Sequence, residues 1–182
     1  MRLTKQKLRS KMLTRLKLHK EEDQERKSRI IKRKLFRSSI FKKAKTIMFY
    51  LSFGGEVKTE DMILGAKKLG KAVAVPVCEH NRMILRPCLL SHKANLVKGP
   101  YGICVPAEKT FIDPKDLDLV IVPGLAFDEK GNRLGRGKGC YDHFLNTLPG
   151  NKNSIGLAYA FQILPSVPVA KNDIHVNKVI YA

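Results

Sequence analysis

Leu117-Asp118-Leu119-Val120-Ile121-Val122 leads through Pro123-Gly124-Leu125-Ala126-Phe127-Asp128 into Gly131-Asn132-Arg133-Leu134-Gly135-Arg136-Gly137-Lys138-Gly139-Cys140-Tyr141-Asp142. An apolar run interrupted only by Asp118 predicts a central buried strand. Residues 141–148 can form a helix, so the stretch reads strand, glycine loop, helix. The alternate glycines let the backbone approach a ligand closely, because no Cβ intervenes. Exposed N–H groups, two arginines and a lysine make the loop a natural anion cradle. Asp142 would stand where a metal bound to that anion could be held. The ligand class this predicts is a phosphate, above all a nucleotide.

Two well-known phosphate loops do not fit. A Walker loop has four residues between its first glycine and a Gly-Lys-Ser/Thr ending. Here five separate Gly131 from Gly137, and Gly139 follows Lys138. The dinucleotide fingerprint Gly-x-Gly-x-x-Gly is also absent, since Gly135, Gly137 and Gly139 alternate.

Working outward, residues 3–18 predict a helix with Leu8, Met12 and Leu16 on one stripe. Residues 21–42 predict a second, opened by Glu21, Glu22 and Asp23, with Ile30, Ile31, Leu35 and Ile40 facing the core. Strands are expected at 46–51, 72–77, 83–86, 154–160 and 176–181. A turn is expected around His80-Asn81. A helix is expected from Thr59 to Gly70. Strands alternating with helices give an α/β fold with a largely parallel sheet. Neither repeat nor linker divides the chain, so 1–182 is expected to be a single domain, with 1–43 a basic helical arm packed on the α/β core. Ligands in such folds sit beyond the carboxyl ends of strands, and the loops after Leu51 and Val122 both start there.

The 182 residues carry a net charge of +19. Residues 1–45 hold 18 Lys/Arg against 4 Asp/Glu, a net of +14. Such a block suggests nucleic acid, or a positive surface that draws in polyanionic small molecules. Residues 1–35 contain no Phe, Tyr or Trp to interleave with the cations, which favours the second reading. No apolar run reaches the roughly 20 residues of a membrane helix, and no apolar segment follows the basic start as in a secretory signal. Cys78, Cys88, Cys104 and Cys140 lack metal-ligand spacing, so reduced thiols and a cytoplasmic location are expected.

The central stretch resembles the signature of the 5-formyltetrahydrofolate cyclo-ligase family, Pro-Gly-x-x-Phe-Asp and then Gly-x-Arg-Leu-Gly-x-Gly-x-Gly-Tyr-Tyr-Asp. Lys5-Gln6-Lys7-Leu8-Arg9 resembles the family's N-terminal element, and Leu51-Ser52 with Glu56 and Thr59 its folate-side segment. Gln162 and Asp173-Ile174-His175-Val176-Asn177 resemble its C-terminal elements. The resemblance implies a three-layer, Rossmann-like sandwich. It implies conversion of 5-formyltetrahydrofolate and ATP to 5,10-methenyltetrahydrofolate, ADP and phosphate. It places ATP against Lys5, Arg9, Arg133, Leu134, Gly135, Arg136, Gly137, Lys138, Gly139, Cys140 and Tyr141. It places folate against Leu51, Glu56, Arg136, Gly137, Lys138, Gly139 and Cys140. Mg²⁺ falls to Asp142 and Asp173, and charge on the transferring phosphoryl group to Arg136 or Lys138. A monomer without a specific nucleic-acid or membrane partner is expected. The other readings are a nucleic-acid binder using the arm and a phosphate-ligand enzyme of similar fold but different chemistry.

Cys140 departs from the family, which has a tyrosine there. Tyr50, Tyr101 and Tyr159 are the candidates to supply the missing aromatic face and hydroxyl. His19, His80, His92, His143 and His175 form no motif and are expected to be structural or exposed.

Overall fold

The computed structural model describes residues 4–79, 84–91, 96–98, 104–150 and 153–182. Three helices come first: α1 (Lys5–Leu18), α2 (Glu21–Arg37) and the short α3 (Ser39–Lys43). The sequence predicts α2 and α3 as one helix. Ser38 divides them, in extended backbone: its hydroxyl donates to the Leu35 carbonyl and accepts from Phe41 N–H, ending one helix and capping the next. Strand β1 (Thr46–Met48), α4 (Glu60–Lys68) and β2 (Ala72–Glu79) follow. Gly70, at φ +73°, ends the α4 segment as expected.

β2 turns back into β3 (Ile84–Leu89), and β4 (Leu96–Lys98), β5 (Cys104–Pro106) and β6 (Thr110–Phe111) come next. The expected turn at His80-Asn81, with Met83, lies outside the described residues, as do His92 and Tyr101. The decisive stretch contributes β7 (Leu119–Val122), the hairpin β8 (Ala126–Phe127) and β9 (Arg133–Leu134), and α5 (Cys140–Thr147). β10 (Asn153–Ala158) and β11 (Lys178–Tyr181) complete the described strands.

Seven strands form the main sheet in the order β11-β10-β7-β1-β2-β3-β6. The five from β11 to β2 pair in parallel, while β3 and β6 add an antiparallel margin. The central strand β7 is buried on both sides, as its apolar run predicts. Asp118, the interruption, accepts from the backbone N–H groups of Lys45 and Thr46 and fixes the start of β1.

Alternation along the strands separates two cores. Ile47, Val73, Val75, Leu119, Ile121, Ile155 and Leu157 join Leu8, Met12, Leu16, Ile31, Leu35, Met62 and Ile63 from α1, α2 and α4. Met48, Ala74, Val120, Val122 and Ala158 meet Phe127 of the hairpin and Phe144 and Leu145 of α5. The result is a three-layer α/β sandwich. The basic arm is one of its outer layers, held by the apolar stripe of α1 that the sequence reveals. Among the described residues no helix is long and apolar enough to cross a membrane.

Candidate active site

Parallel register brings the ends of β1, β7 and β10 to one edge of the sheet, since Met48 pairs with Val120 and Ser154 pairs with Val120 from the other side. The loops leaving that edge carry the predicted residues. The segment after β1 is held by its own hydrogen bonds. Tyr50 donates to Val57 O at 3.0 Å, and Thr59 donates to Tyr50 O at 2.6 Å. Tyr159, just past β10, donates to Glu56 O at 3.0 Å. The hydroxyls of Tyr50 and Tyr159 are therefore both engaged in holding this segment.

Glu56 is almost fully buried and meets Arg136 across the cleft. Arg136 Nε and Nη2 donate to Glu56 Oε1 at 3.2 and 3.1 Å, joining residues 80 positions apart. Phe53 completes the clamp. Its ring lies 4.1 Å from the Arg136 guanidinium carbon, and its carbonyl accepts from Nη2. Burial pushes the Glu56 carboxyl above its ordinary value, and Arg136 offsets only part of that. The sequence reading missed Phe53; its signal was an aromatic directly before Gly54-Gly55 at a strand end. Leu51 is half-buried beside this segment.

Only the second part of the stretch from Gly131 to Asp142, which the sequence reads as one anion cradle, is open loop. Its first part belongs to the β8–β9 hairpin, and Asp128 organises the turn. The Asp128 carboxylate accepts from the N–H groups of Lys130, Asn132 and Val167 and from the Asn132 side chain. Burial would raise its pKa, but these bonds outweigh it and leave the carboxyl below its ordinary value. Gly131 is mandatory here: φ is +80°, and a Cβ would lie 2.1 Å from Val176 O. Gln162 clamps the turn after β7 by donating to the carbonyls of Gly124 and Leu125.

Arg133 and Leu134 belong to the scaffold of the loop. Leu134 is buried in the core, so only its backbone can reach a nucleotide. The Arg133 side chain is 4% exposed and donates to Asp142 Oδ1 at 2.9 Å, with Ile174 N–H on the same oxygen. From Gly135 onward the loop opens, and Arg136, Gly137, Lys138 and Gly139 are exposed. Gly139, at φ +70°, starts α5, whose first residues are Cys140, Tyr141 and Asp142.

α1 reaches this loop from the other end of the chain. Arg9 Nε donates to Gly135 O at 3.0 Å, and Lys5 pairs with Asp173. Ala170 N–H also donates to Asp173, whose carboxyl lies below its ordinary value: burial would raise it, and the bonds from Lys5 and Ala170 outweigh that. Thus Lys5, Arg9, Arg133, Gly135, Asp142 and Asp173 meet in one region. Two buried polar atoms there lack hydrogen-bond partners among the described residues, Arg133 Nε and the Tyr141 hydroxyl. Unpartnered groups in such a place are what a bound polar ligand would satisfy. Among the described residues no group of three or more His, Cys, Asp or Glu could hold a metal ion. Asp142 and Asp173 suit an ion that takes one or two carboxylates and fills its other positions with phosphate and water.

His19 is structural. Its ring packs edge-on against Tyr159 and Phe161. Burial, and then Lys27, lower its pKa. His143 and His175 are exposed. His80 and His92 lie outside the described residues.

Known proteins resemble this chain along almost its whole length. A sequence profile described as the 5-formyltetrahydrofolate cyclo-ligase family matches residues 2–182. The chain is 33% identical to a probable 5-formyltetrahydrofolate cyclo-ligase of Caenorhabditis elegans, over 97% of this chain and 92% of that one. It is also 33% identical to the 5-formyltetrahydrofolate cyclo-ligase of Mus musculus, over 96% and 91%. The solved structure of Aquifex aeolicus 5,10-methenyltetrahydrofolate synthetase superposes with a TM-score of 0.87 at 32% identity, covering 98% of this chain and 90% of that one.

Proposed function

The chain belongs to the 5-formyltetrahydrofolate cyclo-ligase family and is an enzyme, and from that premise we propose that it uses ATP to close 5-formyltetrahydrofolate into 5,10-methenyltetrahydrofolate, releasing ADP and phosphate. The observation that carries this reading is the meeting of two basic elements 126 positions apart, Arg9 on α1 and the loop at Gly135. One polyanion can touch both.

The formyl carbonyl of the substrate is an amide and resists attack by the weakly nucleophilic N10. Transfer of the γ-phosphoryl group to the formyl oxygen makes that oxygen a leaving group. N10 then forms the new C–N bond and phosphate departs with the oxygen. Such transfer needs alignment and charge stabilisation more than a protein nucleophile. Lys5, Arg9 and the backbone of Gly135, Gly137 and Gly139 bind the ATP phosphates. Arg133, held by Asp142, supports the loop from beneath, and its free Nε with the Tyr141 hydroxyl offers two further donors. Lys138 and Arg136 stabilise charge on the phosphoryl group in flight.

Arg136 also connects the two ligands, because it is held by Glu56. Glu56 accepts hydrogen bonds from the folate, and Leu51 and Phe53 supply apolar contact. Asp142 and Asp173 would hold Mg²⁺, which neutralises phosphate charge when bound. The protein acts as a cytoplasmic monomer with no specific nucleic-acid partner.

The test is the near-ultraviolet absorbance of 5-formyltetrahydrofolate mixed with the protein and Mg-ATP. An ATP-dependent rise of the methenyl band is expected, together with loss of that rise in Arg136→Ala. ATP binding by calorimetry with no methenyl band would overturn the reading in favour of other phosphate chemistry on the same fold.

A further inference from the structure

Three elements far apart in the chain converge on the peptide groups around Glu56. Tyr159, fully buried just past β10, donates its hydroxyl to Glu56 O at 3.0 Å, across 103 positions. Burial pushes that hydroxyl up to about 12, so it keeps its proton throughout the neutral range. Behind it stands Ser28, a buried residue of α2 whose Oγ lies 3.4 Å from the Tyr159 oxygen. With the tyrosine proton given to Glu56 O, the Ser28 proton is the one that joins the two hydroxyls. Ser28 Oγ also accepts from Lys58 N–H at 3.0 Å. Tyr50 donates to the carbonyl between them, that of Val57. Upstream, Gly54 and Gly55 both sit at positive φ and bring no side chain to fix the segment. The Tyr159 ring has its own support, edge-on against His19 at 4.4 Å between centroids. Its hydroxyl is therefore separable from its packing.

We propose that Tyr159, with Ser28 behind it, is a positioning residue for binding of the formylated folate, a role that rests on the reading of Glu56 given above. Glu56 Oε1 meets both Nε and Nη2 of Arg136 while Oε2 accepts from Phe53 N–H, an arrangement that needs the Glu56 backbone in one place. The Tyr159 hydroxyl fixes that place at the Glu56 carbonyl, and the Ser28 hydroxyl fixes it two residues further on. Both act through Glu56 and make no contact of their own with the ligand. The chain of bonds runs from Ser28 through Tyr159 and Glu56 to Arg136, and so ties the interior face of α2 to the arginine that stands between the two ligands. The basic arm thus serves the folate side through a buried neutral hydroxyl, independently of its charge. Without the Tyr159 hydroxyl the Glu56 carboxylate has more positions open to it, and a folate that needs one of them binds more weakly.

The experiment measures methenyl-band formation as a function of 5-formyltetrahydrofolate and of ATP for the wild type, Tyr159→Phe, Ser28→Ala and Ser154→Ala. Ser154 is the control: a buried serine at the amino end of β10, it is held to Asn177 by hydrogen bonds away from the ligand edge. Tyr159→Phe should raise KM for the folate about fivefold, the size of one neutral hydrogen bond, and leave KM for ATP and kcat within about twofold. Ser28→Ala should move the same constant in the same direction. Ser154→Ala should lower the melting temperature comparably and leave both KM values unchanged. Calorimetric titration of folded Tyr159→Phe with 5-formyltetrahydrofolate should show the same weakening. An unchanged folate KM in Tyr159→Phe, folate and ATP constants that rise together in it, or an equal rise of the folate constant in Ser154→Ala would overturn the positioning role while the folate reading stands. A wild type that makes no methenyl band would overturn both.

Discussion

Glu56 and Asp128 are both buried carboxylates, yet their surroundings move them in opposite directions. Glu56 has its main support from one half-exposed arginine, and its carboxyl is raised. In the pH interval between the ordinary carboxylate value and that raised value, the folded protein binds more protons than the unfolded chain. Stability contributed at Glu56 therefore falls as pH rises through the interval. Glu56→Gln should unfold at equal or higher urea concentration than wild type at neutral pH, while KM for the folate rises at least about tenfold, as loss of a charged hydrogen bond predicts. A large fall in the urea midpoint would contradict this assignment of Glu56 to binding at the expense of stability. Asp128 is the opposite case. Its lowered carboxyl stabilises the fold above the ordinary carboxylate value and loses that contribution as pH falls through the folded one. Asp128→Ala leaves two backbone donors of the hairpin turn, and that of Val167, without their acceptor and should cost about 3 kcal/mol in urea unfolding.

At the scale of elements, two glycines of the same segment should respond differently to alanine. Gly131→Ala meets Val176 O at 2.1 Å in left-handed backbone and should cost about 3 kcal/mol or more, read as lost folded yield or a fall in melting temperature. Gly137, at φ +108°, has only the Arg9 guanidinium near its missing Cβ, at 3.5 Å or beyond. Gly137→Ala should fold with about 1 kcal/mol lost and instead weaken ATP binding, measured by calorimetry. The sequence displays this segment's chemistry but not its division into a rigid hairpin and an open tip. Strands of two residues, such as β8 and β9, are too short for a periodic signal. The stripe of α1 and the apolar run of β7 were legible because each buries a repeating pattern against a layer. The antiparallel margin was not, because direction is set by partners and not by the composition of a strand. Likewise Arg133 reads as one more loop cation in sequence, and only its contact with Asp142 and its burial identify it as a support.

Across the whole molecule, the net charge of +19 gives the ligand edge a long-range attraction for anions. Raising ionic strength from about 0.05 to 0.5 M shortens screening lengths below 10 Å and should lower kcat/KM several-fold, with kcat nearly unchanged. A fall in kcat of the same size would show that the charge acts in the chemical step. The site is also distributed along the entire chain. Lys5 and Asp173, joined in one ion pair, are 168 positions apart. During synthesis at roughly 5–20 residues per second, the first helix emerges about 10–30 s before the carboxylate that it holds. Through that interval the basic arm has been synthesised while its acidic partner does not yet exist. The ion pair that closes the site is therefore completed only when the last part of the sheet has been made.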